Sequence, residues 1–150
     1  MDIRPARPED RAFIMGLAPR LAGVAWMEWR NPAEITAFQH HFMGTCLANT
    51  AAATLMVWDR EVALGFVHVE PAADAMNGGT CAYVSLLAVT EAAEGKGAAR
   101  ALMVAAEDWA KHQGFHLLCL DVFASNGRGR DFYARQGFGE ETLRLVKALD

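Results

Sequence analysis

The stretch Leu87-Ala-Val-Thr-Glu-Ala-Ala-Glu-Gly-Lys-Gly-Ala-Ala-Arg-Ala-Leu102 decides how this chain folds. Residues Cys81 to Val89 read as a strand. A helix follows over about 97–113, closed by Gly114, with Lys111 and His112 well placed in its last turn. A glycine-rich turn between strand and helix leaves the helix's first N–H groups open, at the positive end of its dipole. Gly95 and Gly97, with only methyl groups at Ala98 and Ala99, let phosphate oxygens come close to those amides. Lys96 and Arg100 add cations at the same spot. A cation in a first helical turn is disfavoured by the dipole, and a bound anion reverses that penalty. The segment also reads as a flexible entry into an alanine-rich helix with solvated side chains; its strand-to-helix setting favours a phosphate cradle. Two nucleotide motifs are excluded. There is no Gly-x-x-x-x-Gly-Lys-Ser/Thr, and the third glycine of the dinucleotide fingerprint falls on Arg100.

Outward from this segment the pattern alternates between strands and helices. Ile3 to Arg7 reads as a short first strand, and a helix begins near Glu9 with Phe13, Ile14, Leu17 and Leu21 on one face. Asn31 caps a helix from Pro32 to about Leu47. Ala53–Asp59 and Val62–Glu70 form a hairpin about Asp59-Arg-Glu61, and Pro71 to Gly79 reads as a loop. Phe115 to Phe123 is an almost continuous apolar run, as expected of a strand covered on both faces. A short helix over 126–136 ends at Gly137, and two last strands are expected between Phe138 and about Lys147. The order predicts one mixed α/β domain over residues 1–150.

The second informative segment is Asn126-Gly-Arg-Gly-Arg-Asp-Phe-Tyr-Ala-Arg-Gln-Gly-Phe138. Asn126 suits a helix cap, and Tyr133 lies about two turns further on a similar face. Each also has a plainer role, Asn126 as a cap alone and Tyr133 as a core aromatic with its hydroxyl at the surface. Together the two segments resemble the GNAT superfamily of N-acetyltransferases. Its first signature is Gln/Arg-x-x-Gly-x-Gly/Ala after a strand, here Glu94-Gly-Lys-Gly-Ala-Ala99, and its second is an Asn and Tyr pair before Gly-Phe. Glu94 departs from the first signature: turned inward, its carboxylate repels a pyrophosphate, and turned outward it leaves the site ordinary. Gly129 stands where alanine is more usual.

The resemblance implies a central sheet of about six to seven strands with helices on both faces and splayed central parallel strands. It implies acetyl-coenzyme A as co-substrate, held by Leu87, Ala88, Val89, Gly95, Lys96, Gly97, Ala98, Ala99, Arg100 and Asn126, and no metal. It places an oxyanion donor on the backbone near Leu87, beside a bulge, and makes Tyr133 the proton donor to the leaving thiolate. The acetyl group then passes to a primary amine by direct attack in a ternary complex. The acceptor, a small molecule or a peptide, is expected against Trp26, Glu28 and Trp29, where two π-faces and a carboxylate suit a cation. That segment equally reads as helix-to-helix packing. No carboxylate lies on the strand at Tyr83-Val-Ser85. His68 and Glu70, on one face of the preceding strand, are the nearest base candidates, with a water chain or a solvated pair as alternatives. The other reading of the whole is a non-catalytic acyl-coenzyme A-binding or interaction module on the same fold.

Composition narrows the partners. A net charge of −4 argues against nucleic acid, and no stretch is long and apolar enough to span a bilayer. Cys46, Cys81 and Cys119 lie in separate apolar stretches without metal-ligand spacing, as reduced thiols of a cytoplasmic protein do. Exposed strands at a sheet edge make a homodimer an expectation.

Overall fold

The computed structural model describes residues 1–149. Five strands form one sheet in chain order: β1 (Asp2–Pro5), β2 (Ala53–Asp59), β3 (Val62–Asp74), β4 (Gly79–Val89) and β5 (Leu118–Leu120). The first four pair antiparallel, and β5 joins β4 in parallel. That last pairing needs a crossover, which α4 (Ala98–His112) supplies. The remaining helices are α1 (Arg11–Gly16), α2 (Ala18–Ala22), α3 (Pro32–Leu47) and α5 (Gly127–Arg135).

Alternation along β3 sorts the core into two layers. Val67 and Val69, with Ala82 and Val84 of β4, meet the stripe Ala98, Leu102, Met103, Ala106 and Ala110 of α4. Phe66 packs the other way with Met56, Leu86 and Ala88, against Ile14, Leu17, Met43 and Cys46 of the N-terminal helices. Helices therefore cover both faces, as expected. α4 ends as its sequence predicts: Gly114 turns left-handed (φ 84°), and Phe115 N–H reaches back to Ala110 O at 3.0 Å. Asn31 Oδ1 accepts from Ala33 N–H at 2.8 Å, the expected cap of α3.

Four expectations are corrected. The sheet has five strands among the described residues, not six or seven, because residues 139–149 form no strand and lie exposed. The apolar run Phe115–Phe123 contributes only the three ladder residues of β5, and Leu117 and Phe123 stand 52% and 37% exposed. The expected loop at Pro71–Gly79 shrinks to residues 75–78, since β3 and β4 stay paired out to Asp74↔Gly79. The first helix breaks into α1 and α2 around Leu17, because Pro19 has no N–H to continue the ladder.

Candidate active site

The glycine turn leaves the start of α4 open. After β4, a short 3₁₀ turn at Glu91–Ala93 leads to Gly95 and Gly97, both with positive φ (74° and 85°). Glycine is needed at these two positions for the backbone conformation, since a side chain at either would be strained. The α4 ladder opens with Ala101 N–H to Gly97 O at 3.0 Å, and no side chain caps Gly97. The first-turn amides therefore face outward unengaged. Ala98 is buried, while Lys96 and Arg100 are exposed beside the opening.

Glu94 neither points freely inward nor hangs in solvent. Its Oε2 accepts from Arg128 Nη1 of α5 at 2.5 Å, and its Oε1 accepts from Arg20 Nη2 of α2. The Arg128 and Arg20 guanidinium groups hold the carboxyl below its usual range. The carboxylate at the lip is thus more than offset, with two cations against one anion. No sequence signal linked either arginine to it.

Beside the cradle the sheet comes apart. β4 and β5 are in register at Ala82↔Leu118, Tyr83↔Cys119 and Val84↔Leu120, and there the pairing stops. At the same level the register between β3 and β4 slips: His68 faces Leu86 while Val69 faces Val84, so Ser85 is the extra residue of a bulge. The bulge lies two residues before Leu87, where the resemblance placed it. Thr90 N–H bonds Leu64 O on β3, so by alternation Leu87 and Val89 turn their N–H groups toward the side that β5 has left. The Ser85 hydroxyl is buried and makes no hydrogen bond among the described residues. At the mouth of the gap Tyr83 donates to Asp121 Oδ2. Burial and that carboxylate push the Tyr83 phenol up.

His68 and Glu70 do share one face of β3. His68 Nε2 lies 2.8 Å from Glu70 Oε2, and its Nδ1 lies 2.7 Å from Thr54 Oγ1 of β2. At 1% exposure, His68 is held below the usual imidazole pKa by burial, against the opposing pull of Glu70. Glu70 stands opposite Tyr83 in the ladder, so the pair borders the splayed edge. Cys46 of α3 completes a group whose sulfur, imidazole nitrogen and carboxylate oxygen lie within 4.8 Å of one another. Burial first, then the Glu70 charge, pushes its thiol up to about 11. Sequence spacing concealed this group, because one member comes from a helix and two from a strand.

On α5, Asn126 Oδ1 accepts from Gly129 N–H at 2.9 Å. The cap folds so tightly over Gly129 that a β-carbon there would come within 2.4 Å of the Asn126 amide, which explains the departure from alanine. Tyr133 packs edge-on against Phe132 and Phe138, with centroids 5.2 and 5.8 Å away, and burial pushes its phenol up to about 12. Its hydroxyl has no protein partner among the described residues. Trp26 and Trp29 are 69% and 46% exposed and Glu28 is exposed, so this segment is not helix-to-helix packing. It is tied to the turn before α5 instead: Ser125 Oγ donates to Val24 O at 2.7 Å and accepts from Trp26 N–H at 2.9 Å. No hydrogen bond or ion pair among the described residues joins Trp26, Glu28 or Trp29 to His68 or Tyr133.

An open-edged strand, a bulge and a free helix N-terminus stand together at one end of the mixed sheet. A model of the acetyltransferase (GNAT) family matches residues 21–138, and the chain belongs to that family. Its fold is shared by solved structures at low identity. A GCN5-related N-acetyltransferase from Ralstonia eutropha is 17% identical, with TM-score 0.76 over 99% of this chain and 97% of that one. A ribosomal-protein-alanine N-acetyltransferase from Brucella melitensis biovar Abortus is 21% identical, with TM-score 0.71 over 99% and 100%. An aminoglycoside antibiotic 6'-N-acetyltransferase from Acinetobacter haemolyticus is 21% identical, with TM-score 0.70 over the whole of both chains. Comparison with curated protein sequences gives no match. No helix among the described residues is long and apolar enough to cross a membrane.

Proposed function

We propose that this chain transfers the acetyl group of acetyl-coenzyme A to a primary amine by direct attack within a ternary complex. The observation that carries this is the open edge of β4, where the Leu87 N–H faces the gap left by β5, one turn of chain from the amides of the Gly95–Arg100 cradle. The bound coenzyme supplies an activated thioester. The chain's residues do the rest. The free amides at the start of α4, from Gly97 to Arg100, with the Lys96 and Arg100 side chains beside them, hold the pyrophosphate across the Gly95–Gly97 turn. Leu87, Ala88 and Val89 offer a strand edge to the pantetheine arm, and the Leu87 N–H donates to the tetrahedral oxygen. Asn126 supports the same wall, with its carbonyl oxygen already spent on the α5 cap.

The amine nitrogen adds to the thioester carbon to form the C–N bond, and the tetrahedral adduct then collapses with cleavage of the C–S bond. One proton leaves the amine, and Tyr133 gives one to the sulfur. Glu70, held by His68, stands nearest the bulge to take the amine's proton, directly or through a water. The exposed Trp26, Glu28 and Trp29 offer a cationic acceptor two aromatic faces and a carboxylate. Among fold relatives the named acceptors include an aminoglycoside and a ribosomal-protein alanine, so small and peptide amines both suit this site. The three free cysteines fit a reducing, cytoplasmic setting.

One observation favours the second reading, an acyl-coenzyme A-binding module: His68 is buried and both its ring nitrogens are engaged, leaving no free imidazole base. Two measurements separate the readings. Coenzyme A at about 100 times its Kd should stabilise the fold by about 2.7 kcal/mol on either. Thiol release from acetyl-coenzyme A across a panel of amines should rise above the amine-free rate only for an enzyme. Binding without amine-dependent release would leave the module.

A further inference from the structure

Three side chains of different chemistry meet between α3 and β3. Cys46 Sγ, an imidazole nitrogen of His68 and a carboxylate oxygen of Glu70 all lie within 4.8 Å of one another. They offer a sulfur, a nitrogen and an oxygen to a single point. In a tetrahedral zinc site the ligand atoms stand about 3.3–3.6 Å apart, so closing the set takes about 1 Å of side-chain movement. The imidazole is already aimed. His68 Nδ1 lies 2.7 Å from Thr54 Oγ1, which leaves Nε2 to face Glu70 at 2.8 Å. A ligating histidine is held in this way, with its other ring nitrogen on a neighbouring oxygen that fixes ring and tautomer.

Electrostatics leaves the same set unbalanced. Among the described residues Glu70 has no arginine or lysine partner, and Tyr83 across the ladder gives its proton to Asp121. Burial and the Glu70 charge act against a Cys46 thiolate, and only the Ser85 hydroxyl favours one. That hydroxyl is buried and makes no hydrogen bond among the described residues, so a donor suited to a thiolate stands without an acceptor. A dication between Cys46 and Glu70 answers each point. It turns repulsion between thiolate and carboxylate into two bonds, and it gives Ser85 an anionic sulfur to donate to. One thiolate and one carboxylate also neutralise a doubly charged ion, so the buried site carries no net charge.

We infer that Cys46, His68 and Glu70 form a binding site for a borderline-soft divalent cation, zinc above all. This departs from the metal-free site that the family resemblance implies. Sulfur and imidazole select zinc over magnesium and calcium, which take oxygen ligands. Three protein ligands leave a fourth position for water, as in open zinc sites. The ion enters past Glu70, whose side chain is 22% exposed beside the splay while that of His68 is 1% exposed. On binding, the thiol proton leaves to solvent. The imidazole moves its own proton from Nε2 to Nδ1, where Thr54 turns to accept it. The site does not depend on the acetyl-transfer reading.

The test is zinc binding by the reduced full-length protein, freed of metal with a chelator, in competition with a chromophoric indicator. The wild type should take up one equivalent with Kd of about 1 μM or tighter, unaffected by excess magnesium. Cobalt(II) in place of zinc should give a thiolate-to-cobalt charge-transfer band. Cys46→Ala should lose that band and bind zinc at least about 100-fold more weakly. Cys81→Ala/Cys119→Ala removes the other two thiols, which interact with each other across β4 and β5, and should keep both band and affinity. Glu70→Gln changes a partly exposed side chain, so it reports on the site even where Cys46→Ala fails to fold. It should keep the band and weaken zinc binding about ten-fold or more. No zinc uptake by the wild type, or a band that survives in Cys46→Ala, overturns the inference. So does a band lost in Cys81→Ala/Cys119→Ala, or an unchanged zinc affinity in Glu70→Gln.

Discussion

Replacing Tyr133 by Phe removes one oxygen and leaves the ring between Phe132 and Phe138, so it separates the hydroxyl's chemistry from its packing. Because the hydroxyl has no protein partner, the loss should change stability by well under about 1 kcal/mol. General acid catalysis is worth about 10²–10⁴-fold, or about 2.7–5.4 kcal/mol of barrier. The structure points to the low end of that range. With the phenol pushed up to about 12 by burial, it is a weaker acid than the thiol it must regenerate. Against a thiol near ~8.5, a full transfer from such a phenol runs uphill by about 5 kcal/mol. The proton therefore moves together with C–S cleavage rather than ahead of it. Tyr133→Phe should lower kcat by about 10²-fold, with coenzyme affinity unchanged by calorimetry. The phenol stays protonated throughout the working range, so the variant's pH profile should keep the wild-type shape at reduced height. Steady-state thiol release measures kcat directly. Turnover equal to the wild type's refutes the assignment, and so does a loss that appears wholly as weaker coenzyme binding.

Two further outcomes follow from groups at the edges of the site. Glu94→Gln removes the anion at the lip and frees Arg20 and Arg128, so coenzyme A should bind about three- to ten-fold tighter at low salt, with the gain fading as salt screens the cations. Equal or weaker binding at low ionic strength would show that the bridge positions the cradle rather than opposing its ligand. Burial holds His68 below its usual pKa, so the folded protein binds fewer protons there than the unfolded chain does. That contribution to stability is complete above the unfolded value near ~6.5 and is lost as the pH falls below it. The wild-type Tm should therefore decline from about pH 7.5 to about pH 5.5 more steeply than that of His68→Gln. Parallel declines would remove His68 as the cause.

The parts of the fold legible in the sequence were those set by local rules. Gly114 adopts positive φ as a helix-ending residue, and Asn31 and Asn126 both cap their helices, because turn and cap chemistry depends on a few adjacent residues. His68 and Glu70 met because a strand's period is two. What escaped was assembled from distant elements. Glu94 joins partners 74 residues back and 34 residues on, and no spacing rule reaches that far. Cys46 approaches His68 from α3, in the core layer that Phe66 also faces, 22 residues back in the chain. Asp121 did leave a trace, as the lone carboxylate in the apolar run from Phe115 to Phe123, and its bond to Tyr83 across the splay is the reason for it. The missing last strands show a different limit. Alternation in residues 141–149 marks a segment able to pair, and it does not say with which edge.

The turn before α5 concentrates more connections than its length implies. Within four residues, Ser125 fastens the Val24–Trp26 backbone, Asn126 closes the helix, and Arg128 grips Glu94 at the lip of the cradle. It acts as a fulcrum. The flank that carries the exposed tryptophans, the coenzyme turn and the helix bearing Tyr133 are levered from a single point, although they lie far apart in the chain. If an acceptor meets Trp26 as proposed, any shift of that segment would reach the base of α5 through Ser125, and the cradle would touch the same helix through Arg128. The scaffold would then link the proposed donor and acceptor sides.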